Sequence, residues 1–302
     1  MTELASGTRE RRGRVVHPTN ADYNDPGGIH DDATAQELGF RGGTIAGSAH
    51  LDTLVPLMLE AFGPDWFVTG GISIYFRHAT TDGEPTLAVI DEPVDGGRPW
   101  TNRMFRTRIV MPDETLVGEG TVSAGMVTDP TELGGRDLRH DPSSARILAG
   151  MVRGRILGPV VVQIDPGRVR RGCERRITEV LDWYTEGSPW GGPIAPPSAV
   201  IDLVASAAAD LLTSELGPAV GMWGALEVTH VHGPVMVDQP YEVTVEIAAV
   251  ADSPKTEILW TDATVRTGQT VVATIRILNR FVKASSPRWA LSSAEPASDA
   301  NR

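Results

Sequence analysis

The chain has 302 residues, 41% of them hydrophobic and 22% charged, which fits a globular protein of one large or two ordinary domains. Acidic residues exceed basic ones to a formal charge of -12, which argues against nucleic acid or an anionic membrane as partner. Cys173 is the only cysteine, so an intrachain disulfide, a zinc ribbon and a paired-thiol redox motif are all excluded, and a cytoplasmic location is expected.

The first residues carry Arg9, Arg11, Arg12 and Arg14 with no apolar stretch behind them, so no secretory signal is expected. No apolar run reaches the roughly 18 residues of a membrane span. Next comes a glycine-rich loop, Tyr23-Asn24-Asp25-Pro26-Gly27-Gly28-Ile29-His30, followed by Gly39-Phe40 and Gly42-Gly43-Thr44-Ile45-Ala46-Gly47-Ser48. It sets a carboxylate and an imidazole five positions apart, close enough for both to address one water molecule. The plainer reading of the same residues is a turn capped by Asp25 with His30 at the surface.

After this loop Leu51, Leu54, Val55, Met58, Leu59 and Phe62 recur at helical spacing up to Gly63-Pro64, with a bend expected at Pro56. Period-two segments follow at 72–76, 86–90, 101–110 and 116–124 and read as antiparallel strands. Residues 127–144 are rich in Asp, Pro and Gly and read as a linker.

The second half repeats this plan. Gly191-Gly192-Pro193-Ile194-Ala195 matches Gly42 to Ala46, a helical pattern runs from Ile201 to Leu212 with a stop at Gly217-Pro218, and strands are expected near 226–231, 241–247, 257–265 and 270–278. The expected domains are residues 1–126, with the catalytic loop, and residues 145–283, a degenerate copy. Residues 284–302 are expected to be a disordered tail.

The first half resembles the MaoC-like branch of the hotdog superfamily, which includes R-specific enoyl-CoA hydratases. Asp25, Ile29 and His30 keep that family's spacing, and Gly39-Phe40 and Ile45-Ala46 follow at the expected distance, over about 30 residues. Gly27 and Gly28 stand where the family has Asn and Pro, and Gly47-Ser48 where it has His-Gly.

The resemblance implies an α+β double hotdog, with two antiparallel sheets each wrapped around a long central helix, assembled as a homodimer. It also implies a hydratase or dehydratase of acyl thioesters, linked to CoA or a carrier protein, in which Asp25 and His30 act as acid and base. Gly47 and Ser48 would hold the thioester oxyanion through free N–H groups. No cofactor is called for. A hotdog thioesterase, a lyase on a non-CoA metabolite and a non-catalytic acyl-binding protein are the alternatives.

Tyr23, Tyr184 and Trp190 are candidate pocket walls, against the commoner reading of such aromatics as core. Arg168, Arg170 and Arg171, in the densest basic cluster of the chain, are candidates for CoA phosphates, against a solvated face. A metal at His30-Asp31-Asp32 lacks a second ligand group at usable spacing. Ser48, His50 and Asp52 lie too close along one helix for a catalytic relay. His230 and His232 are expected on one strand face, as satisfied structural histidines.

Overall fold

The computed structural model describes residues 7–20, 27–94, 99–175 and 180–290. Ten strands form one antiparallel sheet: β1 (Thr8–Arg12), β2 (Gly70–Phe76), β3 (Leu87–Pro93), β4 (Arg103–Val110), β5 (Leu116–Ala124), β6 (Ile156–Gln163), β7 (Gly221–His230), β8 (Pro240–Asp252), β9 (Thr256–Thr267) and β10 (Thr270–Val282). Their order is β1-β3-β4-β5-β2-β7-β10-β9-β8-β6, so each half of the chain supplies five neighbouring strands. The two expected sheets, whose edges were expected to pair side by side, are one continuous sheet. β2 and β7 pair from Gly71 with Thr229 to Tyr75 with Ala225, so the backbone groups that would be two open edges satisfy each other. β1 and β6 are additional to the strands read from sequence.

The helices are α1 (Asp32–Glu37), α2 (Gly47–Asp52), α3 (Val55–Phe62), α4 (Trp66–Thr69), α5 (Pro166–Arg175), α6 (Pro197–Leu212) and α7 (Pro287–Ala290). The long first-half helix is broken into α2 and α3. Pro56 has no N–H to continue an α-helical ladder and sits in the first turn of α3, where that loss is tolerated. Gly63 closes α3 at φ +75. α6 is continuous over 16 residues but ends at Leu212, before the glycine-proline pair, and Thr213 Oγ1 bonds back to the Ala209 carbonyl. None of the described helices is long and apolar enough to cross a membrane.

α2 packs on α6, and both lie against the sheet. Leu51, Leu54, Met58, Ile72, Ile74, Val200, Ile201 and Leu226 are fully enclosed between them. Turn hydrogen bonds fix how the halves correspond. Thr44 N–H donates to Ile29 O and Ile45 N–H to Thr80 O; Ile194 N–H donates to Trp183 O and Ala195 N–H to Val235 O. Thr44 therefore matches Ile194, one residue on from the register set by the two glycine pairs, and Ser48 and Asp52 match Ser198 and Asp202. These residues meet reciprocally across the helix contact: Ser48 Oγ donates to Asp202 at 3.4 Å and Ser198 N–H to Asp52 at 2.9 Å.

Residues 127–144 contain no helix or strand, yet they are docked. Leu133 is buried, its N–H donates to Ser73 Oγ at 3.0 Å, and Thr131 Oγ1 donates to Glu227 at 2.6 Å, so the segment crosses the β2–β7 seam. The expected tail begins in ordered structure: α7 follows a short 3-10 turn, and Trp289 Nε1 donates to buried Glu257 at 2.6 Å. Residues 291–302 lie outside the described residues.

Candidate active site

The first-half loop is held closed by its own polar groups. Asp31 caps α1, accepting from Thr34 N–H at 2.8 Å and Thr34 Oγ1 at 2.7 Å, bonds that lower its carboxyl pKa from the ordinary value. Asp32 accepts Gly43 N–H at 2.7 Å. Both acids next to His30 are thus used in holding the loop, and no metal-binding group of three His, Cys, Asp or Glu occurs among the described residues.

His30 is fixed by two contacts. Its carbonyl accepts Asn20 Nδ2 at 2.8 Å, and its Nδ1 lies 2.7 Å from Thr44 O. A carbonyl can only accept, so Nδ1 carries the proton and Nε2 is the basic nitrogen. Gly43 permits this packing, because a Cβ there would come within 2.2 Å of His30 O.

His30 borders a cavity of about 820 Å³ at the seam of the two halves. The first half contributes Ile29, Thr44, Gly47, His50 and the strip from Tyr75 to Thr80; the second contributes Ala209, Gly221 to Gly224, Asn279 and Arg280. Gly47 lies against Phe76, whose ring would be 2.8 Å from an added Cβ. The first turn of α2 has no side-chain cap, since Ala46 has no group to offer.

The structure adds His50 to the site. It faces the same cavity one turn along α2 from Gly47, its Nε2 lies 2.9 Å from Thr80 Oγ1, and its Nδ1 has no hydrogen-bond partner among the described residues. Burial pushes its pKa down to about 4, so the ring is neutral. The i to i+3 spacing from Gly47 to His50 was the available sequence signal. Ser48, His50 and Asp52 do not form a relay, because each is bonded to a partner outside the trio: Ser48 to Asp202, His50 to Thr80 and Asp52 to Ser198.

Other expected site residues lie elsewhere. Ser48 is buried in the helix contact and turns its hydroxyl to Asp202 rather than to the cavity. Tyr184 and Trp190 are not cavity walls. Both pack around Phe67, with ring centroids 6.4 and 6.2 Å away, and Tyr184 is buried. Tyr184 follows Trp183 as His30 follows Ile29, so the second half carries a buried phenol at the position of the imidazole.

Arg168, Arg170 and Arg171 lie on the exposed face of α5, and none borders the 820 Å³ cavity. Arg168 edges a separate pocket of about 180 Å³ beside α6 and sits 3.8 Å from Asp202. Tyr23 and Asp25 lie outside the described residues.

His230 is the last residue of β7 and is not satisfied by the described residues: it is buried, neither nitrogen has a hydrogen-bond partner among them, and its ring meets Trp66 edge-on at 5.6 Å. Its pKa is also pushed down to about 4 by burial. His232 lies beyond the strand and is exposed, 3.3 Å from Val271 O.

No protein-family model and no curated protein matches the sequence. Solved structures do match the fold. One described as a MaoC domain protein dehydratase from Chloroflexus aurantiacus has 12% identity and a TM-score of 0.58, covering 93% of this chain and 99% of the other. A MaoC-like dehydratase has 10% identity and a TM-score of 0.50, over 92% and 98%. A conserved hypothetical protein from Mycobacterium tuberculosis, described as having a double hotdog fold, has 12% identity and a TM-score of 0.56, over 91% and 96%. With five strands and one helical layer from each half, meeting at β2 and β7, this chain has the double hotdog fold.

Proposed function

We propose that the chain is a hydratase or dehydratase acting at the α,β double bond of an acyl thioester. The observation that carries this reading is His30, on the wall of an 820 Å³ cavity, with Nδ1 committed to Thr44 O and Nε2 left as the base. In hydration, Nε2 takes a proton from water as the water oxygen bonds to Cβ. The π electrons move to give an enolate at the thioester, and the proton taken from water is then delivered from Nε2 to Cα, which returns the imidazole to its neutral form. Dehydration reverses these steps.

Asp25 is assigned as the second group on the water, on the strength of its spacing from His30 in the sequence. The uncapped N–H of Gly47, which borders the cavity, is assigned to the enolate oxygen. General acid-base assistance of this kind contributes about 10² to 10⁴ in rate. The chemistry needs neither metal nor redox cofactor.

The test is a series of 2-enoyl-CoA thioesters of graded length. Loss of the conjugated enoyl absorbance without free thiol is the expected result, and His30→Ala and Asp25→Asn should each lower the rate about 10²-fold or more. Release of thiol at the rate of substrate loss would replace this reading with hydrolysis. Near-normal turnover in either variant would remove that residue from the mechanism.

A further inference from the structure

Three arginines gather around one phenol at the edge of the cavity, in a chain with a formal charge of -12. Arg136 lies 3.9 Å and Arg77 4.6 Å from the ring centroid of Tyr75, while Arg280 Nη2 donates to the Tyr75 hydroxyl at 2.7 Å. Arg77 is paired with Glu119 and Arg136 with Glu132. Arg280 has no carboxylate within ion-pair distance among the described residues. It is only half-buried, and it borders both the 820 Å³ cavity and an adjoining one of about 370 Å³.

The backbone is shaped to hold Arg280 there. The pairing of β10 with β7 shifts between Leu278 and Asn279, which leaves Gly224 as the extra residue of a bulge. A Cβ at Gly224 would stand 2.6 Å from Arg280 Nε, so glycine opens the lane in which this side chain lies. Bulge, glycine and tyrosine together fix a positive group that lacks a counter-charge beside the cavity that holds His30.

We propose that Arg280, steadied by Tyr75, anchors a phosphate of a pantetheine-type thioester, whether that phosphate belongs to coenzyme A or to phosphopantetheine. The assignment rests on the hydratase reading for the acyl thioester, but its own chemistry is a guanidinium binding a phosphate through charge-assisted hydrogen bonds. It moves the phosphate site from α5, where the arginines do not border the cavity, to the end of β10.

Calorimetric binding of coenzyme A, 4′-phosphopantetheine and pantetheine tests the anchor without turnover. Arg280→Gln should weaken coenzyme A binding roughly 10-fold or more and leave pantetheine unchanged, with Arg280→Lys intermediate. Arg170→Ala with Arg171→Ala should change neither ligand. Equal losses for coenzyme A and phosphopantetheine would identify the pantetheine phosphate, whereas a loss confined to coenzyme A would identify the nucleotide phosphates.

Full coenzyme A affinity in folded Arg280→Gln, or equal weakening of pantetheine, overturns the proposal. If wild-type protein binds coenzyme A through Arg280 but hydrates no enoyl thioester, the reaction assignment fails and the anchor stands. If it hydrates enoyl thioesters with no dependence on Arg280, the reverse holds.

Discussion

Replacing Gly43 by alanine should move His30 without touching its side chain. The added Cβ would lie 2.2 Å from His30 O, 2.9 Å from its carbonyl carbon and 2.9 Å from Asn20 Nδ2, where ordinary contact begins at 3.4 Å. Two of these three obstacles are backbone atoms and cannot rotate away, so the loop must retreat by about 1 Å, a misplacement that can cost about 10² in rate. The same retreat stretches the bonds that close the loop: Gly43 N–H to Asp32, Thr44 N–H to Ile29 O, and His30 Nδ1 to Thr44 O. Overpacking of about 1–3 kcal/mol and the loss of a hydrogen bond or two at about 1 kcal/mol each give roughly 2–5 kcal/mol. For a chain of this size that lowers Tm by roughly 3–8 °C. Enoyl hydration kinetics and thermal unfolding, run on the same preparation, measure both. Wild-type Tm and kcat/KM together would refute the steric argument. A lowered Tm with an unchanged rate would show that the loop serves stability and that His30 is not the base.

Two stability predictions follow from buried polar groups. His50 and His230 are held neutral, with pKa pushed down to about 4 from the ordinary 6.5, so between those values the unfolded chain binds more protons than the folded one. Their contribution is therefore intact above about pH 6.5 and is lost as pH falls toward 4, by about 3 kcal/mol per histidine at most. His230→Leu should flatten the fall in urea-unfolding free energy between pH 6.5 and 4; an unchanged slope would disprove the assignment. Buried Glu257 accepts the N–H groups of Arg146, Ile147 and Leu148 at 2.8, 3.0 and 2.9 Å, and Trp289 Nε1 at 2.6 Å. Glu257→Leu strands four donors at about 1–3 kcal/mol each and should cost several kcal/mol, with Glu257→Gln costing less. A leucine variant as stable as wild type in chemical denaturation would contradict this.

The sequence by itself determined the repeated plan, the helix and strand periods of both halves, a disturbance of the first helix near Pro56, which proved to be a break rather than a bend, and the loop that carries His30. These are local properties: apolar spacing, a missing N–H and glycines at turns each act within a few residues. Tertiary structure decided what distant segments do to one another. It chose β2 and β7 as the edges through which the halves, expected to pair side by side, become one sheet. It shifted the repeat register by one residue, through hydrogen bonds that no residue spacing displays. Tyr184 and Trp190 went into the packing around Phe67, and Ser48 into the contact with α6. His50 and Arg280 came to the cavity wall from opposite halves, 230 positions apart in the chain. A side chain's neighbours depend on which surfaces pack together, and only the folded chain sets that.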